Sequence, residues 1–210
     1  MARVLHSYGQ GRVDVFPFTR KDYNEIVRLC LVKRDKCERG SINYYRWYRN
    51  YMMMILGCNT GCRIEVLLQL TPKHLLGGRG RIQEYKTEKI QRVDLNSKLT
   101  KTVEEYLDYL GIGDREYIFR SSKNTDKPLT RVAAYQIIKK LAAEAGVKYA
   151  VGCHSLRKSY GRFAYDATHD LLMVQRMLGH SNPMITQQYI CLEEDKVSKF
   201  KSSLQWGLDV

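Results

Sequence analysis

HSLRKSYGRFAYDATHDLLMVQRMLGHSNPMITQQY, running from His154 to Tyr189, is the stretch whose reading decides the fold. His154 and Arg157 stand three apart, so on a helix they share a face. That helix is expected to run from His154 to about Asp166. A short apolar helix follows over 170–178 and ends at Gly179-His180-Ser181. A third helix spans Tyr189, nine residues beyond His180. Each residue alone has a plain structural use. An HxxR pair is common, Gly-His at a helix end is often a C-cap with a satisfied histidine, and one tyrosine among 15 carries no signal. Only the joint order and spacing set them apart.

Upstream, Thr130 caps a helix running to Gly146, behind the loop SSKNTDKPL. Glu116 to Phe119 reads as a short strand, and 98–110 as an amphipathic helix stopped by Gly111. RGRIQEYKTEKIQRVDL alternates apolar and polar residues around a polar break at Thr87-Glu88, the pattern of a β-hairpin. Lys86 sits at its tip. Thr71-Pro72 fits a cap plus first helical position, in a unit that ends at Gly77-Gly78. Residues 63–70 read as helix. Ser41 caps a long helix, INYYRWYRNYMMMILGCNT, whose apolar residues crowd too densely for a surface element, so it is expected to be largely buried up to Gly61. Tyr44, Tyr45, Trp47, Tyr48 and Tyr51 fit core packing better than base stacking. Thr19 with Asp22 resembles a capping box opening a helix to about Cys37. Residues 1–18 form a lead-in or linker, and 194–206 an amphipathic terminal helix. The sum is an α+β domain over 19–210, mostly helical with a small antiparallel sheet.

Composition narrows the function. The chain has 210 residues, 44% hydrophobic and 27% charged, which is ordinary for a folded globular protein and unlike a disordered or disulfide-scaffold chain. No apolar run is long enough to span a bilayer. The formal net charge is +13 and the pI near 9.5. An excess of that size opposes compaction and is usually retained because a polyanion neutralises it, which makes nucleic acid the leading partner class. An anionic membrane surface ranks second, and a merely solvated basic surface remains the plain alternative. The six cysteines form no CxxC pair, and no second Cys/His pair lies at zinc-finger distance from Cys58 and Cys62. Reduced, partly buried thiols in a cytosolic protein are expected.

Arg63, Lys86, His154, Arg157, His180 and Tyr189 suit one chemistry. Attack on a DNA phosphodiester places negative charge on its non-bridging oxygens, which guanidinium forks match while staying charged. Imidazoles donate to the phosphate or move protons. A tyrosine oxygen is a covalent nucleophile that stores the bond for rejoining. An ammonium protonates the departing 5′ oxygen. Such a set of cations needs no metal, and no acidic cluster for magnesium is visible.

HSLR, LGH and the threonine–tyrosine pair resemble the C-terminal signature of tyrosine recombinases, the phage integrase family. His154, Leu156, Arg157, Leu178, Gly179, His180, Thr186 and Tyr189 fall on it. TGCRIEVLLQL resembles the family's first box, with Arg63 as its arginine, and YKTEK its lysine hairpin, with Lys86. The resemblance covers roughly 19–192 and implies the tyrosine-recombinase catalytic-domain fold. Tyr189 would attack the scissile phosphate and form a 3′-phosphotyrosyl link, with no cofactor. Arg63 and Arg157 would hold the phosphate, His154 and His180 hydrogen-bond it or shuttle protons, and Lys86 act as general acid. It further implies double-stranded DNA as partner, a tetrameric synapse of identical chains, no membrane, and a cytoplasmic setting. The terminal helix VSKFKSSLQW would dock on a neighbouring protomer or pack on its own domain.

Two departures stand out. The first box carries an acidic residue three after the arginine, where this chain has Val66. Glu65 comes one residue early, about 100° away around a helix. And the separate helical domain that most members carry ahead of the catalytic one is not expected here. The chain then reads either as a catalytic domain of a longer protein or as a minimal recombinase like the fimbrial-switch invertases. A degenerate recombinase that only binds DNA, a type IB topoisomerase relative and a basic RNA-binding protein are the other readings.

Overall fold

The computed structural model describes residues 14–83, 90–122 and 125–191. Among the described residues are eight α-helices and one antiparallel pair of strands. They are α1 (Arg20–Asp35), α2 (Ile42–Thr60), α3 (Ile64–Leu68), β1 (Arg79–Gln83), β2 (Ile90–Asp94), α4 (Ser97–Leu110), α5 (Arg131–Glu144), α6 (Cys153–Thr168), α7 (Leu171–Leu178) and α8 (Pro183–Tyr189). The expected class, mostly helical with a small antiparallel sheet, is what the chain adopts.

Local chemistry sets most boundaries. Thr19, Ser41, Asn96, Thr130 and Asp170 each accept a backbone N–H at a helix start. These contacts satisfy donors that the first helical turn leaves unpaired. Gly61, Gly111 and Gly179 close α2, α4 and α7 in the left-handed conformation. A short 3-10 turn, Pro72–His74, follows α3, and Thr71 and His74 cap it reciprocally. β1 pairs antiparallel with β2, Arg79 opposite Asp94 and Gln83 opposite Ile90.

α2 forms the middle of the core. Met52, Met53, Met54 and Leu56 are fully buried, so the helix is enclosed on nearly every side, as its apolar density predicts. α1 packs along one flank and α6 crosses near its end. The aromatic cluster is packing: Tyr48 is buried against Tyr106 at 4.8 Å and Tyr109 at 5.3 Å between ring centroids. Stretch 14–18, read above as the end of a lead-in, lies on the domain. Phe18 is fully buried and its N–H donates to Ser159 Oγ at 2.8 Å, while Phe16 N–H donates to the Ala150 carbonyl.

One element differs from expectation. Glu116 to Phe119 is not a strand. Ile118 and Phe119 are both fully buried although adjacent, so the stretch has no solvent side for alternation to mark. Its polar groups go to separate partners: Ile118 N–H to Leu70, Phe119 C=O from Leu129, and Ile118 C=O from the Tyr106 hydroxyl. A single bridge between Arg120 and Pro128 is the only strand-like pairing there among the described residues. Helix 63–70 is also shorter than expected, ending at Leu68. The hairpin tip with Lys86, the terminal helix over 194–206 and residues 1–13 lie outside the described residues.

Four cysteines (Cys30, Cys58, Cys62 and Cys153) are buried and all described ones are free thiols. Burial pushes Cys30 up to about 12 and Cys153 to about 11, which keeps both protonated at neutral pH. No helix among the described residues is long and apolar enough to cross a membrane.

Candidate active site

Five of the six expected residues meet at one place, where α6 crosses the end of α2. The crossing is close because glycine permits it. A side chain at Gly61 would meet the Tyr160 ring at 2.3 Å, and its φ of 62° is one that other residues rarely adopt. The Gly61 carbonyl then points at Arg157. Arg157 is 5% exposed, and its Nη1 donates to Gly61 O at 2.6 Å while its Nη2 donates to the carbonyl of Leu178 at the end of α7. Oriented carbonyl dipoles thus help to hold this buried guanidinium. One of its groups also hydrogen-bonds Tyr189.

Arg63 is the residue just before α3, half-buried. Its charge acts on both His180 and Tyr189, which places the two arginines around one spot. His154, a turn before Arg157 on α6, has Nδ1 3.4 Å from Tyr189 Oη. His180 follows the left-handed Gly179. Its Nδ1 pairs with the hydroxyl of fully buried Thr186 at 3.0 Å, and its ring stands edge-on to Tyr189 at 5.0 Å. Gln175 Nε2 donates to the His180 carbonyl at 2.9 Å, fixing the turn.

Tyr189 is the last residue of α8, and Ile190 behind it is buried with Val174 and Leu178 in a small apolar cluster. Gly161 makes room for that cluster: a side chain there would meet Ile190 at 2.8 Å and Leu178 at 2.9 Å.

The electrostatics follow from this crowding. Burial raises the Tyr189 phenol above its ordinary value, while the charges of Arg157 and Arg63 and the Arg157 hydrogen bond work against that rise. Burial also lowers His180, and Arg157 and Arg63 lower it further. His154 is lowered chiefly by desolvation on its protein side. Glu65 opposes this, whereas Arg131, Lys158 and Arg157 add to it. Both imidazoles are therefore neutral at physiological pH and can accept a proton.

Thr186, part of the C-terminal signature though given no role from sequence, sits one helical turn before Tyr189 and holds His180. Two further neighbours of the site were assigned no role from sequence. Lys158 lies one turn beyond His154 on α6, with Nζ 5.3 Å from the Tyr189 ring centroid. Glu65, whose offset leaves the acidic position to buried Val66, pairs with Arg131 of α5 at 3.3 Å beside His154. Among the described residues no three His, Cys, Asp or Glu side chains come together to hold a metal ion.

Comparison with known proteins adds relatives to this geometry. The profile of the phage integrase family matches residues 35–196. The probable integrase/recombinase YoeC of Bacillus subtilis is 35% identical over 153 residues, which are 70% of this chain and 80% of YoeC. Tyrosine recombinase XerD of Chlorobaculum tepidum is 30% identical over 146 residues, 67% of this chain but 47% of XerD. Among solved structures, XerH site-specific recombinase bound to palindromic difH substrate, in its post-cleavage complex, matches with a TM-score of 0.69 at 22% identity, a likeness of fold. That match covers 89% of this chain and 52% of XerH, so the chain spans about half the length of XerD and of XerH.

Proposed function

The chain belongs to the phage integrase family, and from that premise we propose that it is a site-specific recombinase cutting and rejoining double-stranded DNA through Tyr189. The observation that carries this reading is the Tyr189 hydroxyl lying 3.4 Å from His154 and hydrogen-bonded by Arg157, in a site with a second arginine and a second imidazole. The basic excess of the chain, +13, supplies the attraction for a DNA backbone.

In this reading Tyr189 Oη attacks the scissile phosphorus. A bond from Oη to phosphorus forms and the bond to the 5′ oxygen breaks. The phenolic proton passes to neutral His154 Nδ1, and the 5′ oxygen takes a proton from a general acid, for which Lys86 is our assignment. Arg63 and Arg157 hold the non-bridging oxygens, where charge builds in the transition state. His180, fixed by Thr186, donates from its other nitrogen. No water enters, so the phosphotyrosyl bond conserves the energy that rejoining uses. We assign the catalytic domain to 19–210, with a tetrameric synapse of this chain on DNA, no cofactor and a cytoplasmic setting.

The test is covalent trapping. Wild type and Tyr189→Phe are incubated with negatively supercoiled DNA carrying the flanks of the gene, in EDTA, and run on a denaturing gel. DNA-linked protein is expected for wild type only. Linkage that survives Tyr189→Phe removes that tyrosine from its role. Specific binding to the flanks without any linkage would favour a regulator that occupies sites, a reading to which Val66 at the acidic position lends some support. Relaxation of DNA lacking the flanks would favour a topoisomerase-like activity.

A further inference from the structure

We infer that Lys158 is a positioning residue for the nucleophile: its ammonium lies across the face of the Tyr189 ring, holds the phenol against His154 and Arg157, and favours its ionised form. The inference rests on Tyr189 being the nucleophile. Nothing in the six-residue set requires a second lysine.

The placement comes from α6. His154, Arg157 and Lys158 occupy one side of that helix, a turn apart, and each meets a different part of the same tyrosine. His154 meets the hydroxyl at 3.4 Å, Arg157 hydrogen-bonds the side chain, and Lys158 Nζ stands 5.3 Å from the ring centroid. Lys158 is half-buried, and its Nζ also reaches Cys191 Sγ at 4.0 Å, just past the nucleophile. A single helix thus grips the end of α8 at the hydroxyl and ring of Tyr189 and at Cys191 two residues on.

The chemistry follows from where charge appears. An ammonium near an aromatic face is attracted by the ring's negative face. When the phenol loses its proton, part of the new charge enters the ring and the attraction grows. The same ring is nucleophile in cleavage and leaving group in rejoining, so both directions cross a transition state that Lys158 stabilises. The ionisable groups facing Tyr189 are His154, Arg157 and Lys158 from α6, Arg63 from the start of α3, His180 from the turn after α7, and Cys191 beyond α8. Arg157 and Arg63 act on the phenol too, and both imidazoles are neutral. Among the described residues, Lys158 is the cation that stands over the ring face itself.

The experiment uses the full chain with carbon-13 at the tyrosine ζ carbons. Tyr189→Phe identifies the Tyr189 signal, and circular dichroism marks the pH range in which the protein stays folded. Lys158→Met keeps the aliphatic stem and removes the charge; Lys158→Arg keeps the charge. The Tyr189 titration is expected to move up by roughly half a unit to one and a half units in Lys158→Met, with Lys158→Arg close to wild type. If unfolding comes first, nitration of Tyr189 at neutral pH, read by mass spectrometry, reports the phenolate fraction. It should fall by about 3- to 30-fold in Lys158→Met and recover in Lys158→Arg. An unmoved titration, or an unmoved nitration rate, would falsify the inference. Trapping with the supercoiled flanking DNA separates the two claims. Linkage and religation should slow together in Lys158→Met; slowing of one alone overturns the positioning role. A shifted titration with no linkage in wild type would sink the recombinase reading and leave the contact between Lys158 and Tyr189 standing.

Discussion

Helices α1 to α6 bury a broad core, with Phe18, Ile26, Met53, Leu56 and Leu67 fully enclosed, whereas α7 and α8 rest on three buried side chains, Val174, Leu178 and Ile190. Arg63, His154 and Arg157, the proposed phosphate-binding groups, belong to the first region. His180 and Tyr189 belong to the second. Local opening free energy follows the apolar contact that opening must give up, so Tyr189, the proposed nucleophile, sits on the part of the molecule expected to open first. Arg157 is a polar tie between the regions, donating to a carbonyl in each, and Arg162 on the Cys191 carbonyl is another.

The largest expected effect comes from cutting the tie at Arg157. Arg157→Lys keeps the charge but loses the fork that reaches Gly61 and Leu178 together. Covalent linkage should fall ~10³-fold or more. The two freed carbonyls should also lower stability by about 1–3 kcal/mol each unless water reaches them. Trapping and a denaturant titration measure both. Linkage within tenfold of wild type would mean the two regions do not depend on this residue.

Next comes a matched pair of core truncations. Leu56→Ala should lower global stability by about 2–5 kcal/mol and leave the α8 amides no faster in hydrogen exchange relative to the rest. Leu178→Ala should do the reverse: a smaller global loss, faster exchange in α7 and α8, and slower linkage. Equal exchange profiles for the two variants would erase the distinction between the regions.

The smallest effect is at Glu65. Its pair with Arg131 is exposed, so Glu65→Gln should change stability by less than about 1 kcal/mol. Its effect belongs to pH. Folding holds His154 and His180 below the ordinary histidine value, so the unfolded chain takes up more protons as pH falls through that range, and stability falls in that direction. Glu65 raises His154 against this trend. Removing it should move the acid limb of the linkage rate to lower pH. A limb that stays in place would exclude Glu65 from any influence on His154.

Much of this comparison was legible in the sequence. Hydroxyl and amide caps at Thr19, Ser41 and Thr130 are local contacts, and local contacts survive without knowledge of the fold. The apolar density of INYYRWYRNYMMMILGCNT marks a helix enclosed by others. The spacing from His154 to Tyr189 is long enough to be specific. The Glu116–Phe119 stretch misled because a fully buried connection and a strand share the same apolar composition. Glu65 was illegible for a different reason: its partner, Arg131, arrives from a helix far along the chain. Lys158 was on the page as a residue one turn past His154, but a lysine on a helix is solvated so often that only its distance to the ring gives it meaning.

In the proposed reaction, an enzyme that cuts DNA when half-assembled leaves breaks behind it. The double donation of Arg157 works against that. When α7 drifts away, the same guanidinium that should meet the phosphate loses its anchor at Leu178 and swings off line. Tyr189 departs with the α7–α8 unit in the same motion. The proposed phosphate grip and nucleophile would thus be disarmed together, an interlock in which Arg157 takes part.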